Sequence, residues 1–368
     1  TAFSGDNPDR SHEILWDTPG YRTSRNLPPA REAVPDERVP LVIVGGGMSG
    51  LSLAWLLRDT APLVLERAPR FGGNAKGESW QGVDYAIGAA YLLEADAGSP
   101  LEAMYREWRI EEFCRVKTED DPVLVDGKIV RDFWSGESDP ERRAEFERVH
   151  RYFLDVWEEN GEACYPEMPT EDAEMLARLA VLDRQSLREH LEAALGGELH
   201  PHIVAVLDHY CWSSLGATWS EVSAAAGLNF FAAEFGKVLV APGGNAAIAE
   251  RIVTLLEGEL PGDHLRTGAI VFEVVVRSDG VLVRYEDEAG AVRAVLADAV
   301  AMCCPKFVVA RILDGIEPER AAAIQSLRYR SYLLANVLLT TEVEPSFYDL
   351  FLADVAPSRA TDVVMATW

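Results

Sequence analysis

Leu41-Val42-Ile43-Val44-Gly45-Gly46-Gly47-Met48-Ser49-Gly50-Leu51 is the stretch on which the fold of this chain turns. Four apolar residues read as a buried strand, three glycines as a tight turn, and Leu51 to Arg58 as the helix after it. The glycines fall at Gly45-x-Gly47-x-x-Gly50, and the strand before and helix after give so short a motif its meaning as a dinucleotide-binding turn. Gly45 permits the turn, Gly47 lets a pyrophosphate approach the backbone, and Gly50 lets helix and strand pack closely. The amides of the first helical turn, around Ser49, then face the phosphate charge. A second strand, Leu63-Val64-Leu65-Glu66, ends in a carboxylate 21 residues after Gly45, where it can accept hydrogen bonds from ribose hydroxyls.

Residues 41–95 and 236–320 share α/β patterning, while 96–235 are mainly helical. The second α/β segment enters through Val238-Leu239-Val240 and Pro242-Gly243-Gly244-Asn245, and a helix follows with Ile248, Ile252, Leu255 and Leu256 on one face. Three strands come next, Ala269 to Arg277, Val281 to Glu286 and Val292 to Leu296, then a separate apolar run, Ala299 to Cys304. The helical stretch carries one hairpin, Val123 to Val130, turned by Asp126-Gly127. Residues 1–40 are Pro-rich with Trp16 and Tyr21 as large apolar anchors, and read as an extended surface arm available to a protein partner. Residues 321–368 begin a return to the inserted domain.

Bulk properties set the outer limits. A chain of 368 residues suits two interlocked domains. A net charge of −26 argues against nucleic acid and anionic membranes, which both need a basic face. Pro40 to Leu57 is an 18-residue run without charge, but its glycines suit strand, turn and helix better than a membrane span. The five cysteines, Cys114, Cys164, Cys211, Cys303 and Cys304, have no regular spacing and imply no disulfide framework. His200-Pro201-His202 lacks a third ligand at supporting spacing and reads as a helix boundary rather than a metal pair. No Ser/His/Asp order or paired-carboxylate motif stands out, so no catalytic acid or base is assigned.

NAD and FAD share the first fingerprint, so the choice rests on the residues after Glu66. Arg67-Ala68-Pro69-Arg70-Phe71-Gly72-Gly73-Asn74 resembles the second flavin motif of the flavin-containing amine oxidase superfamily, which also holds phytoene-type desaturases and galactopyranose mutases. Arg70, Gly72 and Gly73 match that motif, whereas Asn74 replaces the Arg common in amine oxidases and is closer to the mutase version. Asp84-Tyr85-Ala86-Ile87-Gly88-Ala89-Ala90-Tyr91 is similar to the family segment beside the isoalloxazine ring, where small residues let backbone approach. Val271 matches the family position whose backbone holds the adenine end.

The resemblance implies a doubly wound, Rossmann-like FAD-binding domain of the glutathione-reductase type, interrupted by a mainly helical substrate domain. It implies FAD held by Gly45, Gly47, Ser49, Gly50, Glu66, Arg67, Arg70, Gly72, Gly73, Asn74, Gly88, Ala89, Ala90, Tyr91 and Val271. It further implies hydride transfer from a C–N or C–C bond of a small substrate, with oxygen or a quinone as acceptor. A pocket near His209 to Trp212 is weighed against core packing, with packing favoured. Two alternatives stay open: a non-redox mutase or isomerase, suggested by Asn74, and a non-catalytic subunit of a larger assembly.

Two family features are missing. The flavin-facing Lys of amine oxidases aligns with Asn336 within Leu327 to Val337, and no late Gly-Asp or Gly-Glu segment occurs before Trp368. Either about 100 further residues follow, as ordinary domain sizes suggest, or flavin is bound incompletely, and the first is favoured. Phe3 to Asn7, Phe71 to Ala75, Ile87 to Tyr91, Asp208 to Cys211 and Val222 to Ala224 resemble bacterial exported FAD-dependent oxidoreductases. With no Met at position 1, they suggest a processed start and a twin-arginine route to the periplasm, against a cytoplasmic alternative.

Overall fold

The computed structural model describes residues 8–118, 120–160, 171–233, 237–341, 343, 346–354 and 359–366. Two compact units emerge: Thr1–Tyr91 with Ala95–Cys114 and Ala241–Tyr329, and Leu92–Glu94 with Arg115–Val240 and Arg330–Trp368.

The first unit is built on a six-stranded sheet. In spatial order its strands are Leu265–Arg266, Leu63–Leu65, Glu37–Val44, Val292–Met302, Gly280–Glu286 and Ile270–Arg277. The first four run parallel, Gly280–Glu286 pairs antiparallel with Val292–Met302, and Ile270–Arg277 pairs antiparallel with Gly280–Glu286. Val42, Ile43 and Val44 are buried on both faces, as a central parallel strand requires. The two edge strands, Leu265–Arg266 and Ile270–Arg277, are joined by Thr267, Gly268 and Ala269 alone. That link spans at most about 14 Å, whereas the edges of a flat six-stranded sheet lie roughly 24 Å apart. The sheet therefore curls, and a core including Val42, Leu63, Leu65, Phe272, Val274 and Val283 fills the fold.

Val292–Met302 is one continuous strand, where the sequence suggested a strand and a separate apolar run. Its first part pairs with Gly280–Glu286 and its later part with Glu37–Val44, so two kinds of neighbour hide one backbone path. The helix Pro100–Trp108, expected in the insert, lies in the first unit. Trp108 is 1% exposed, and Glu107 accepts from Trp55 Nε1 at 2.7 Å, which fixes that placement.

The N-terminal segment departs most from expectation. It is not extended: helices span Asp9–Trp16 and Thr18–Ser24, with Pro19 at the start of the second, where proline costs no helical hydrogen bond. The anchors are Ile14, Leu15 and Tyr21, all buried, while Trp16 is exposed with the Arg311 guanidinium over its ring. Arg10 forks onto Glu286 at 2.7 and 2.6 Å, Arg25 reaches Glu286 at 2.8 Å, and Arg22 pairs with Glu273. These apolar and basic groups are engaged within the chain, so the segment is a pair of docked helices rather than the extended surface arm read from the sequence.

The second unit is mainly helical. Helices Arg143–Asn160, Leu187–Leu195, Pro201–Leu215 and Ala224–Ala233 surround a core that includes Phe146, Phe153, Leu191, Leu207 and Phe231. The hairpin Val123–Val125 and Lys128–Val130 forms as read, with Asp126 and Gly127 at positive φ. Asp354 accepts from both turn amides at 2.6 Å. Among the described residues, no helix is long and apolar enough to cross a membrane.

Candidate functional site

The strand Glu37–Val44 ends at Gly45, whose φ of +108° favours glycine and whose Cβ would meet the Cys303 carbonyl oxygen at 2.7 Å. At Gly50 a Cβ would lie 1.9 Å from the Gly45 carbonyl oxygen, so helix Met48–Leu56 can press on the turn only with glycine there. Gly47 differs. Its φ of −74° suits any residue, and its Cβ would meet nothing closer than the Gly73 Cα at 3.5 Å, an ordinary contact. Gly47 is the N-cap of the helix and offers no side chain to its first-turn amides, near the exposed Ser49. The cradle that a Cβ at 47 would fill thus lies at a helix N-terminus, suited to phosphate.

Glu66 is 8% exposed. One of its carboxylate oxygens accepts from the Gly46 amide at 2.7 Å and the other from the Ala68 amide at 2.7 Å. Each oxygen keeps a second lone pair, so ribose hydroxyls can be accepted without breaking these bonds. Motif spacing assigns no role to Gly46, although its Cβ would strike the Phe71 ring at 2.3 Å. Its place between two motif glycines is the signal that could have found it.

The second loop closes on the first. Gly72 donates to the Gly46 carbonyl at 2.8 Å, and Gly72 and Gly73 have φ of +117° and +62°. A Cβ on Gly73 would reach the Gly47 Cα at 2.9 Å. Arg67 Nη1 lies 3.5 Å from Ser11 Oγ of the N-terminal helix, and Arg70 Nη1 lies 3.5 Å from the Gly77 carbonyl oxygen. Asn74 is exposed, and its carbonyl accepts from Ala89 at 2.9 Å. Gly88 packs on that same carbonyl, leaving 2.0 Å for a Cβ.

Gly88 to Ala90 form an irregular link, not part of a strand; the strand begins at Tyr91. Gly244 presses on this link, since its Cβ would lie 2.9 Å from the Ala89 carbonyl oxygen. Asn245, another residue missed from sequence, bonds both Ala89 and Tyr91. Val271 is buried two residues after Ala269, which donates to the Glu66 carbonyl at 2.8 Å. Burial pushes the Cys304 thiol up to about 11, and it also raises that of Cys303, so neither forms a thiolate near neutral pH.

Other candidates lie elsewhere. His209 is 2% exposed and bonds the Ala205 carbonyl of its own helix at 2.7 Å, while Tyr210 stacks on Phe351 at 3.9 Å, which makes them packing residues. His200 is the N-cap of Pro201–Leu215 and meets Asp139 at 3.2 Å. Asn336 is exposed in a stretch without regular secondary structure. Phe3 to Asn7 and Cys164 lie outside the described residues.

The family model for flavin containing amine oxidoreductase matches residues 48–351. Oxidoreductase PigB of Serratia sp. (strain ATCC 39006) is 24% identical over 356 residues, covering 82% of this chain and 52% of that protein. The chain thus spans about half the length of that relative. A putrescine oxidase, solved as wild type bound to putrescine, has a TM-score of 0.57 and 19% identity, with 78% of this chain and 63% of that one covered. A CLA-producing fatty acid isomerase from P. acnes has a TM-score of 0.51 and 14% identity, covering 78% and 63%. At these identities the likeness of structure shows the fold alone. The family match spans most of the chain and includes Gly50, the buried Glu66 and the second glycine loop at Gly72-Gly73, so the chain belongs to the flavin containing amine oxidoreductase family, a family of FAD-dependent oxidoreductases with FAD as cofactor.

Proposed function

We propose that the chain oxidises a small, largely apolar or amine substrate by removing a hydride from a C–N or C–C bond. When bound, the flavin supplies two-electron acceptance at its N5, with oxygen or a quinone as the final acceptor. The observation that supports this best is the meeting of two glycine loops, Gly47 against Gly73, beside a buried Glu66 whose carboxylate is fixed by backbone amides. In this reading Gly45, Gly47, Ser49 and Gly50 hold one side of the diphosphate and Arg67, Arg70, Gly72, Gly73 and Asn74 the other. Glu66 takes the ribose, the backbone of Val271 the adenine end, and Gly88 to Tyr91 lie against the ring. A neutral amine, whose nitrogen lone pair stabilises the iminium formed, needs no protein base for hydride removal, which agrees with the lack of an assigned acid or base; a C–C donor would also have to give up a proton.

Denaturing the purified protein is expected to release FAD, with absorbance at about 450 nm. Release of a nicotinamide dinucleotide would overturn the assignment. Glu66→Ala is expected to weaken FAD binding by about 1–3 kcal/mol, the loss for charge-assisted hydrogen bonds. A mutase or isomerase, favoured by Asn74, is the second reading, and it works with reduced flavin while consuming no acceptor. We further propose export to the periplasm by a twin-arginine route, with the cytoplasm as the alternative, on the resemblance of Phe71 to Ala75 and Ile87 to Tyr91 to exported oxidoreductases; fractionation of the native cells distinguishes the two.

A further inference from the structure

Asn245 opens the helix Asn245–Glu259 and is 4% exposed. Its backbone amide donates to the Ala89 carbonyl at 3.0 Å, and its side-chain Nδ2 donates to the Tyr91 carbonyl at 2.8 Å. A carbonyl can only accept, so the side-chain amide is oriented with nitrogen toward Tyr91 and Oδ1 away from it. There Oδ1 is buried without a hydrogen-bond partner. An acceptor buried without a donor is unfavourable, so asparagine is a poor choice for stability alone. Gly244 adds a steric constraint, because its Cβ would lie 2.7 Å from Ala86 Cβ and 3.1 Å from Ala90 Cα.

We infer that Asn245 is a positioning residue that clamps the Ala89 to Tyr91 backbone and thereby sets the surface offered to the flavin ring. The inference rests on the cofactor placement proposed above. The clamp holds two carbonyls from one residue, and its variable part is the single Nδ2–H donor. Asn245→Asp tests that donor with little change of shape. An ionised carboxylate repels the Tyr91 carbonyl, whereas a protonated one can donate to it. Burial raises the pKa of such a carboxyl, which brings the switch into an accessible range.

The test uses the full chain, with FAD and stripped of it, as wild type, Asn245→Asp and Asn245→Ala. In the stripped protein, amide exchange across residues 89–92 is expected to accelerate about tenfold in Asn245→Ala and in Asn245→Asp at about pH 8. At about pH 5 Asn245→Asp is expected to return toward wild type, measured at the same pH, while Asn245→Ala does not. With FAD, both variants are expected to shift the flavin visible spectrum, while the FAD dissociation constant changes less than about threefold because the diphosphate loops are untouched. Unchanged exchange in both variants overturns the inference, as does a pH-independent Asn245→Asp. Altered exchange with an unaltered flavin spectrum overturns the claim that the clamp serves the ring. A wild type that binds no FAD, yet shows the exchange pattern, overturns the cofactor reading and leaves the clamp supported.

Discussion

Gly47 separates what the protein needs from what the cofactor needs. Gly45, Gly50 and Gly88 are glycines because protein atoms occupy the space of a side chain, whereas at Gly47 the nearest protein atom to a Cβ is 3.5 Å away. Gly47→Ala is therefore expected to fold with a stability within about 1 kcal/mol of wild type, because the N-cap preference for glycine over alanine is offset by the lower entropy of the unfolded alanine chain. Its FAD affinity is expected to fall at least about tenfold, because the methyl group enters the proposed diphosphate cradle. Equilibrium dialysis with FAD beside a urea melt reads both quantities. Retained affinity would move the diphosphate away from this turn.

Among the elements, the N-terminal helices are held by charge as well as by apolar contact. Burial raises the Glu286 carboxyl, but bonds from Arg10, Tyr21 and Arg25 outweigh it, so its folded value lies below the ordinary one. Burial, together with the bond to Glu286, pushes the Tyr21 hydroxyl up to about 12, keeping it a donor. A depressed carboxylate contributes stability that is complete above its ordinary value and disappears as pH falls through its folded value. Asp9–Trp16 and Thr18–Ser24 are thus expected to become open to proteolysis in acid. Glu286→Gln at neutral pH is expected to cost about 1–3 kcal/mol in a urea melt. That difference should vanish in acid, where wild type also loses the charge, and a constant difference would rule out the linkage.

For the whole molecule, binding of FAD to the folded state adds protection by mass action, about 2.7 kcal/mol at a hundredfold excess over the dissociation constant. Hydrogen exchange along Glu37–Val44, the buried central strand, is expected to slow by about a hundredfold wherever it proceeds through global opening of its unit. Exchange that ignores added FAD would show that the first unit does not bind it.

Local sequence alone dictates the strand, glycine turn and helix at 41–58, the carboxylate at Glu66 and the second loop at Gly72-Gly73, because these depend on short spacings and on backbone freedom at glycine. Through family resemblance it also points to FAD. Tertiary contacts settle the rest. The N-terminal segment reads as an extended arm because its proline count is local, while the partners of its arginines, Glu273 and Glu286, lie about 250 residues away in sequence. Val292–Met302 reads as two pieces because its neighbours change along its length. Asn245 reads as the end of the turn that returns the chain to the flavin domain, but nothing local reveals that Ala89 and Tyr91 would fold against it. Contacts between distant segments leave no periodicity in a single sequence, and for that reason the clamp and the docked helices become visible only in three dimensions.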